Sequence, residues 1–233
     1  MRLVHLSAGT AVLAVVVSAG ASAQVIGYTP PRLLRAELPP EPPPTVIGGG
    51  EVLIEFIVDV RGVVTRPIIV RSTPPYTQMV LEAIARWQFE PARAADERGI
   101  QREVQAPITV SAVFRPPTLY NGPTLGESPT QVARPSGDVA YPLEIVPPAF
   151  PPNAVFGSVL LYEVGLNDSG QLVEARGLAP SSGFDSAARD SLAKMRFQGA
   201  TYRARPVPSV TYVLFGFRHP TAFASPVPTP KPR

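Results

Sequence analysis

An internal repeat constrains this chain more than any other feature. Residues 86–92 read RWQFEPA and residues 194–200 read KMRFQGA, an offset of 194 − 86 = 108. At that offset no gap is needed from about residue 50 to residue 92. Val52, Ile54, Phe56 and Val58 fall beside Leu160, Tyr162, Val164 and Leu166. Both sets alternate with more polar or mixed positions, the period of a half-buried strand. Asp59 falls beside Asn167 and Gly62 beside Gly170. The stretches DVRG and NDSG therefore read as equivalent hairpin turns, in which glycine takes positive φ without a Cβ clash. Val64 and Val70, beside Leu172 and Leu178, mark a second strand in each copy.

A helix is expected next. Thr73 and Ser181 stand at matching N-cap positions, and Pro74 follows at the first helical site. Tyr76, Val80, Ile84 and Trp87 recur at helical spacing, as do Phe184, Ala188, Leu192 and Met195. Last come VQAPITVSAVF (104–114) and VPSVTYVLFGF (207–217), now offset by 103 because AADERGIQREV lengthens the first copy. The reading is α+β: two small tandem ββαβ units at 50–115 and 140–218, each a three-stranded antiparallel sheet covered by a helix. A hairpin followed by a helical return gives the strand order 2-1-3. Pro67 in the second strand agrees, since proline lacks a ladder donor and is tolerated at an edge.

That order exposes the last strand of each unit, and an open edge can accept a strand from another chain. The candidate partner-binding positions are Gln105, Ile108, Val110 and Ala112 in the first unit, and Val210, Tyr212 and Leu214 in the second. The more apolar edge near Tyr212 calls for a partner, for pairing with the first unit or for self-association.

The 30 prolines cluster between the periodic stretches, which suggests units joined by stiff linkers. Residues 24–49 are a Pro/Gly-rich N-terminal segment, 116–139 a linker and 219–233 a Pro-rich tail. Residues 1–23 read as a secretory signal: Arg2, an apolar run over 8–20, then Ala21-Ser22-Ala23, with cleavage between Ala23 and Gln24. The run is short of the roughly 20 residues a membrane span needs. Export to the periplasm follows; the alternative is an uncleaved inner-membrane anchor.

Other chemistry finds little support. Removing residues 1–23 removes Arg2 and no acid, leaving +3 − 1 = +2, with the basic residues scattered, so nucleic acid is not an expected partner. With no cysteine there is no disulfide framework and no thiol chemistry. The histidines, His5 and His219, cannot build a histidine metal cluster, and no Ser/His/Asp spacing is evident. No catalytic residue, cofactor or metal is expected. Asp96-Glu97 and Asp185/Asp190 read as solvated acids, Trp87 and Phe89 as core, and LPPEPPP (38–44) as a spacer.

These residues carry a family likeness. GEVLIEFIVDVRGVV, STPPYTQMVLEAIARWQFEPA and PITVSAVF resemble the C-terminal domain of TonB, the periplasmic energy transducer of Gram-negative bacteria, across about 65 residues. The second copy is looser, with Met195 in place of the Trp and Gly199 in place of the Pro, though SSGFDSAARDSLAKMRF keeps the helix and Tyr141-Pro142 resembles the pair that often opens such domains. The resemblance implies a non-enzymatic protein-interaction module of the cell envelope. Its partner would be an envelope protein or an outer-membrane receptor segment, held by strand addition. The alternative it implies is an anchored transducer acting on outer-membrane receptors in transmembrane transport.

Overall fold

The structure is a computed structural model and describes residues 27–42, 48–116 and 129–219. The signal segment with Ala23 and Gln24, residues 117–128 of the linker and the tail from residue 220 lie outside the described residues. The first run of elements is β1 (Arg32–Arg35), β2 (Gly50–Val58), β3 (Val64–Ser72), α1 (Tyr76–Ile84), β4 (Gln88–Glu90), β5 (Ala92–Ala95), β6 (Gln101–Val104) and β7 (Ala106–Arg115). After β8 (Thr130–Gln131) comes a second run in similar order. It comprises β9 (Tyr141–Glu144), β10 (Ser158–Leu166), β11 (Leu172–Ala179), α2 (Asp185–Leu192), β12 (Arg196–Gln198), β13 (Ala200–Tyr202), β14 (Arg205–Val207) and β15 (Ser209–Phe217).

The described chain is mixed α/β, mostly strand with two helices, around one seven-stranded sheet in the order β11-β10-β15-β7-β2-β3-β8. All neighbours are antiparallel except β15 and β7, which run parallel. The expected pair of separate three-stranded sheets is thus corrected to one continuous sheet, joined through the two last strands.

The helices lie on opposite faces of that sheet. Successive strand residues point to opposite sides, and β15 shows where each side leads. Tyr212 and Leu214 enter a cluster with Tyr76, Val80, Ile84 and Trp87 from α1 and the residues just after it. Val213, Phe215 and Phe217 enter a second cluster with Phe184, Ala188, Leu192 and Met195 from α2 and its flanks. The helical stripes seen in the sequence are therefore the two cores. All eight stripe residues are buried.

Both hairpin turns follow one design. Asp59 Oδ1 accepts the Arg61 and Val63 amides at 2.9 Å each, and Asn167 Oδ1 accepts those of Ser169 and Gln171 at 3.0 and 2.9 Å. Gly62 and Gly170 take φ of 78° and 75°. A Cβ on Gly62 would lie 1.8 Å from the Phe89 carbonyl oxygen, and one on Gly170 would lie 2.7 Å from the Gly199 amide. Each turn is thus pressed against the chain just after a helix, so glycine serves both conformation and closeness.

The helix starts differ from expectation. The N-caps are Pro75 and Phe184, without side-chain caps. The Thr73 hydroxyl is spent instead on β2, donating to the Glu51 carbonyl at 2.8 Å and accepting the Glu51 amide at 3.2 Å. The stretch between each helix and its last strand also holds more than a turn. β4 pairs with β1 and β12 with β9, while β5–β6 and β13–β14 form hairpins. The end of the linker is folded as well. Ser136 donates its amide to the buried Glu55 carboxylate at 2.8 Å, and Thr109 Oγ1 donates to the Ala140 carbonyl at 2.6 Å.

Candidate functional site

Four of the positions expected to pair with a partner are the middle of the sheet. Val110 faces Tyr212 and Ala112 faces Leu214 across the parallel ladder, and all four are fully buried. β7 has β2 on its other side and β15 has β10. The physical reason is direct: two long apolar edges each need a row of partners, and each supplies the other's. Strand addition at these four positions is therefore corrected: the chain has already made it internally.

Gln105, Ile108 and Val210 lie elsewhere. The parallel ladder begins only at Val110 and Tyr212, so the two strands splay toward their N-terminal ends. There Thr109 and Thr211 bridge hydroxyl to hydroxyl at 2.7 Å. Gln105, Ile108 and Val210 line a cleft of about 210 Å³ beside this splay.

The sheet's own edges are β11 at one side and β3 with β8 at the other. The β3 edge is blunted. Arg71 and Ser72 pair with Gln131 and Thr130, and the Val132 amide donates to the Val70 carbonyl at 2.9 Å. Below that pairing stand Pro67 and the backbone irregularity at Arg66, whose φ is 52°. Proline and a bulge are the usual protections of an edge. The β11 edge, LVEARGLA, has neither proline nor, among the described residues, an outer neighbour. Val173 is 70% exposed on it.

Polar side chains brace this strand from both faces. Glu163 on β10 pairs with Arg176 at 2.7 Å and accepts the Tyr212 hydroxyl at 3.0 Å. Burial first, and then the Glu163 charge, hold the Tyr212 phenol well above its ordinary pKa. On the α2 face Tyr162 donates to Asp185, which also pairs with Arg189 at 2.7 Å. These two partners keep the Asp185 carboxyl below its usual range, the Tyr162 bond being the larger cause. Arg189 also reaches the Ala175 carbonyl of β11 at 3.3 Å. The edge strand is thus held at Ala175 and Arg176, with no strand on its outer side among the described residues.

The signal for this edge was in the sequence: an order of 2-1-3 leaves the second strand of each unit as an edge too, and LVEARGLA lacks the proline that marks its counterpart. Among the described residues no group of three or more His, Asp or Glu side chains could hold a metal ion. None of the described helices is long and apolar enough to cross a membrane. No protein-family model matches the chain, and no curated protein matches it.

Proposed function

We propose that the chain is a tandem of two ββαβ units, each resembling the TonB C-terminal domain, closed on each other through their third strands. It acts as a non-enzymatic periplasmic docking module, and its docking edge is Leu172–Ala179. The observation that carries this reading is the outer side of that strand, which has no neighbour among the described residues and no proline. An added strand gains backbone hydrogen bonds along the edge, and side chains set its preference. The partner is an extended segment of an envelope protein, with an apolar residue against Val173 and charges opposed to Glu174 and Arg176.

One observation favours a second reading, in which the partner is another copy. Laid antiparallel on itself about Ala175, the strand sets Glu174 opposite Arg176 and Leu172 opposite Leu178, the self-complementarity of a twofold interface. Light scattering of the purified protein separates the two, since only the second reading gives a dimer.

The test of the proposal is a photocrosslinker at Val173 in growing cells. It should capture a defined envelope protein. Proline at Glu174 and, separately, at Ala175 covers both amide directions along the strand, and the variant whose lost amide points away from β10 should abolish the capture while circular dichroism shows the fold intact. Capture of the same protein at the same level by every folded proline variant would overturn the edge mechanism.

A further inference from the structure

The cleft at the splayed end of β7 and β15 is independent of the β11 edge. Its volume is about 210 Å³, and both units build it: Tyr28, Gln105 and Ile108 come from the first, Asp138, Tyr202 and Arg203 from the second. Ligand sites favour such junctions, and this one is smaller than the roughly 300–1,000 Å³ of drug-sized pockets, so it suits a small molecule. Tyr28 and Tyr202 are stacked, with ring centroids 5.0 Å apart and planes 27° apart. The rest of the wall is largely proline and aliphatic.

The chemistry of this cleft is not a by-product of the repeat. Thr29 bonds to Arg93 through the backbone as Asp138 does to Thr201, so the two copies correspond here at offsets of 138 − 29 = 109 and 201 − 93 = 108. By those offsets Tyr28, Asp138, Tyr202 and Arg203 correspond to Gly137, Thr29, Ala94 and Ala95. The rings and the charges therefore stand on one side of the join only, and the other copy folds with small, uncharged residues at those places. Arg203 is also placed at some strain. It and Ala204 link β13 to β14 with φ of 51° and 59°, a turn usually given to Asn and Gly. The corresponding hairpin of the first unit uses Gly99.

One acid and one base line the same small volume. Asp138 and Arg203 are both exposed, and among the described residues neither makes an ion pair with the other or with a third group. Arg203 lies over the Tyr202 ring, 5.3 Å from its centroid. Tyr28 adds no charge at physiological pH, because burial, and then Tyr202 and Asp138, push its phenol up to about 12. A purely cationic or purely anionic ligand would meet one like charge here, whereas a dipolar ligand satisfies both. We propose that the cleft binds a free α-amino acid with an apolar side chain, its carboxylate on Arg203, its ammonium on Asp138 and its side chain against the tyrosine pair. A guanidinium offers a carboxylate two parallel N–H donors, and the apolar wall takes the side chain out of water.

The test is isothermal titration calorimetry of the full chain with L-leucine, L-phenylalanine and L-proline, and then with the N-acetyl and amide derivatives of the tightest binder, each of which lacks one charge. At least one amino acid should bind one-to-one, and each derivative at least about tenfold more weakly, the loss of one charged hydrogen bond. Asp138→Asn should weaken the amino acid about tenfold and leave the N-acetyl derivative unchanged, because that derivative has no ammonium for Asp138 to hold. Arg203→Gln should do the same to the amino acid and leave the amide unchanged. Both side chains are exposed, and circular dichroism checks the fold of each variant. No saturation by any of the three amino acids at about 10 mM, derivatives that bind as tightly as their parent, or folded variants that bind it as tightly as the unaltered chain would overturn the proposal. So would tighter binding of L-leucyl-L-leucine than of L-leucine, which would make the cleft a site for peptide ends.

Discussion

Truncating Trp87 should unfold the described chain as one body. The indole is 1% exposed and belongs to the first core cluster. It meets the Tyr212 ring edge-on at 5.6 Å, and its Nε1–H donates to the Glu37 carbonyl at 2.8 Å. Tyr212 lies on β15 and Glu37 just after β1, so the loss reaches both runs of elements. Trp87→Ala should cost about 3–5 kcal/mol from burial and the cavity left behind. With a urea slope of about 2 kcal/mol per molar for a domain of this size, the midpoint should fall by about 1.5–2.5 M. Trp87 is the only tryptophan, so the assay is urea unfolding followed by far-UV circular dichroism and tyrosine fluorescence. The two probes should give one coincident transition, lowered by Trp87→Ala and lowered also by Met195→Ala in the opposite cluster, by about 2–5 kcal/mol. Two transitions, each sensitive to only one of these changes, would refute the shared sheet.

Three further outcomes are expected. Gly62→Ala should destabilise far more than Gly99→Ala: both glycines have positive φ, a strain of roughly 1 kcal/mol or more for alanine, but only at Gly62 would the Cβ strike a carbonyl oxygen, whereas Gly99 faces open space; chemical denaturation reads the difference. Glu163→Leu should cost about 1–3 kcal/mol, because the buried Tyr212 hydroxyl loses its acceptor, and Glu163→Gln should recover part of it in the same assay. Stability should fall as pH rises above 10, the ordinary phenol value, because the unfolded chain then releases protons that Tyr28, Tyr162 and Tyr212 retain when folded; absorbance at alkaline pH should show these phenols titrating late and together with unfolding.

Much of this architecture was legible in the repeat. The alternation in residues 52–58 and 160–166, the Asp59/Asn167 and Gly62/Gly170 turns and the two helical stripes all recur in the structure as strands, turns and cores, because each is a local pattern with a fixed period. The Thr73 cap was misplaced because its hydroxyl had a better use across the sheet on Glu51. The short strands such as β4 and β12 carry three residues each, too few for a period to register. The pairing of β7 with β15 is a contact between residues about 100 apart in sequence. Periodicity shows that a strand has an apolar face, but not which strand lies beside it. The last strands therefore read as open edges in the sequence, whereas in the structure β7 and β15 pair with each other and the second strands, β3 and β11, lie toward the sheet's margins.

The parallel pairing of β7 with β15 is the point on which the rest depends, and amide hydrogen exchange tests it residue by residue. The account predicts that the amides of Val110–Phe114 and Val213–Phe217 exchange only on global unfolding, consecutive residues alike, since each strand is paired on both sides. Alternate amides of Leu172–Ala179 should exchange orders of magnitude faster, because only one side of that strand is paired. Fast exchange at alternate positions within 110–114 and 213–217, with uniform protection of 172–179, would contradict it and restore the last strands as the open edges.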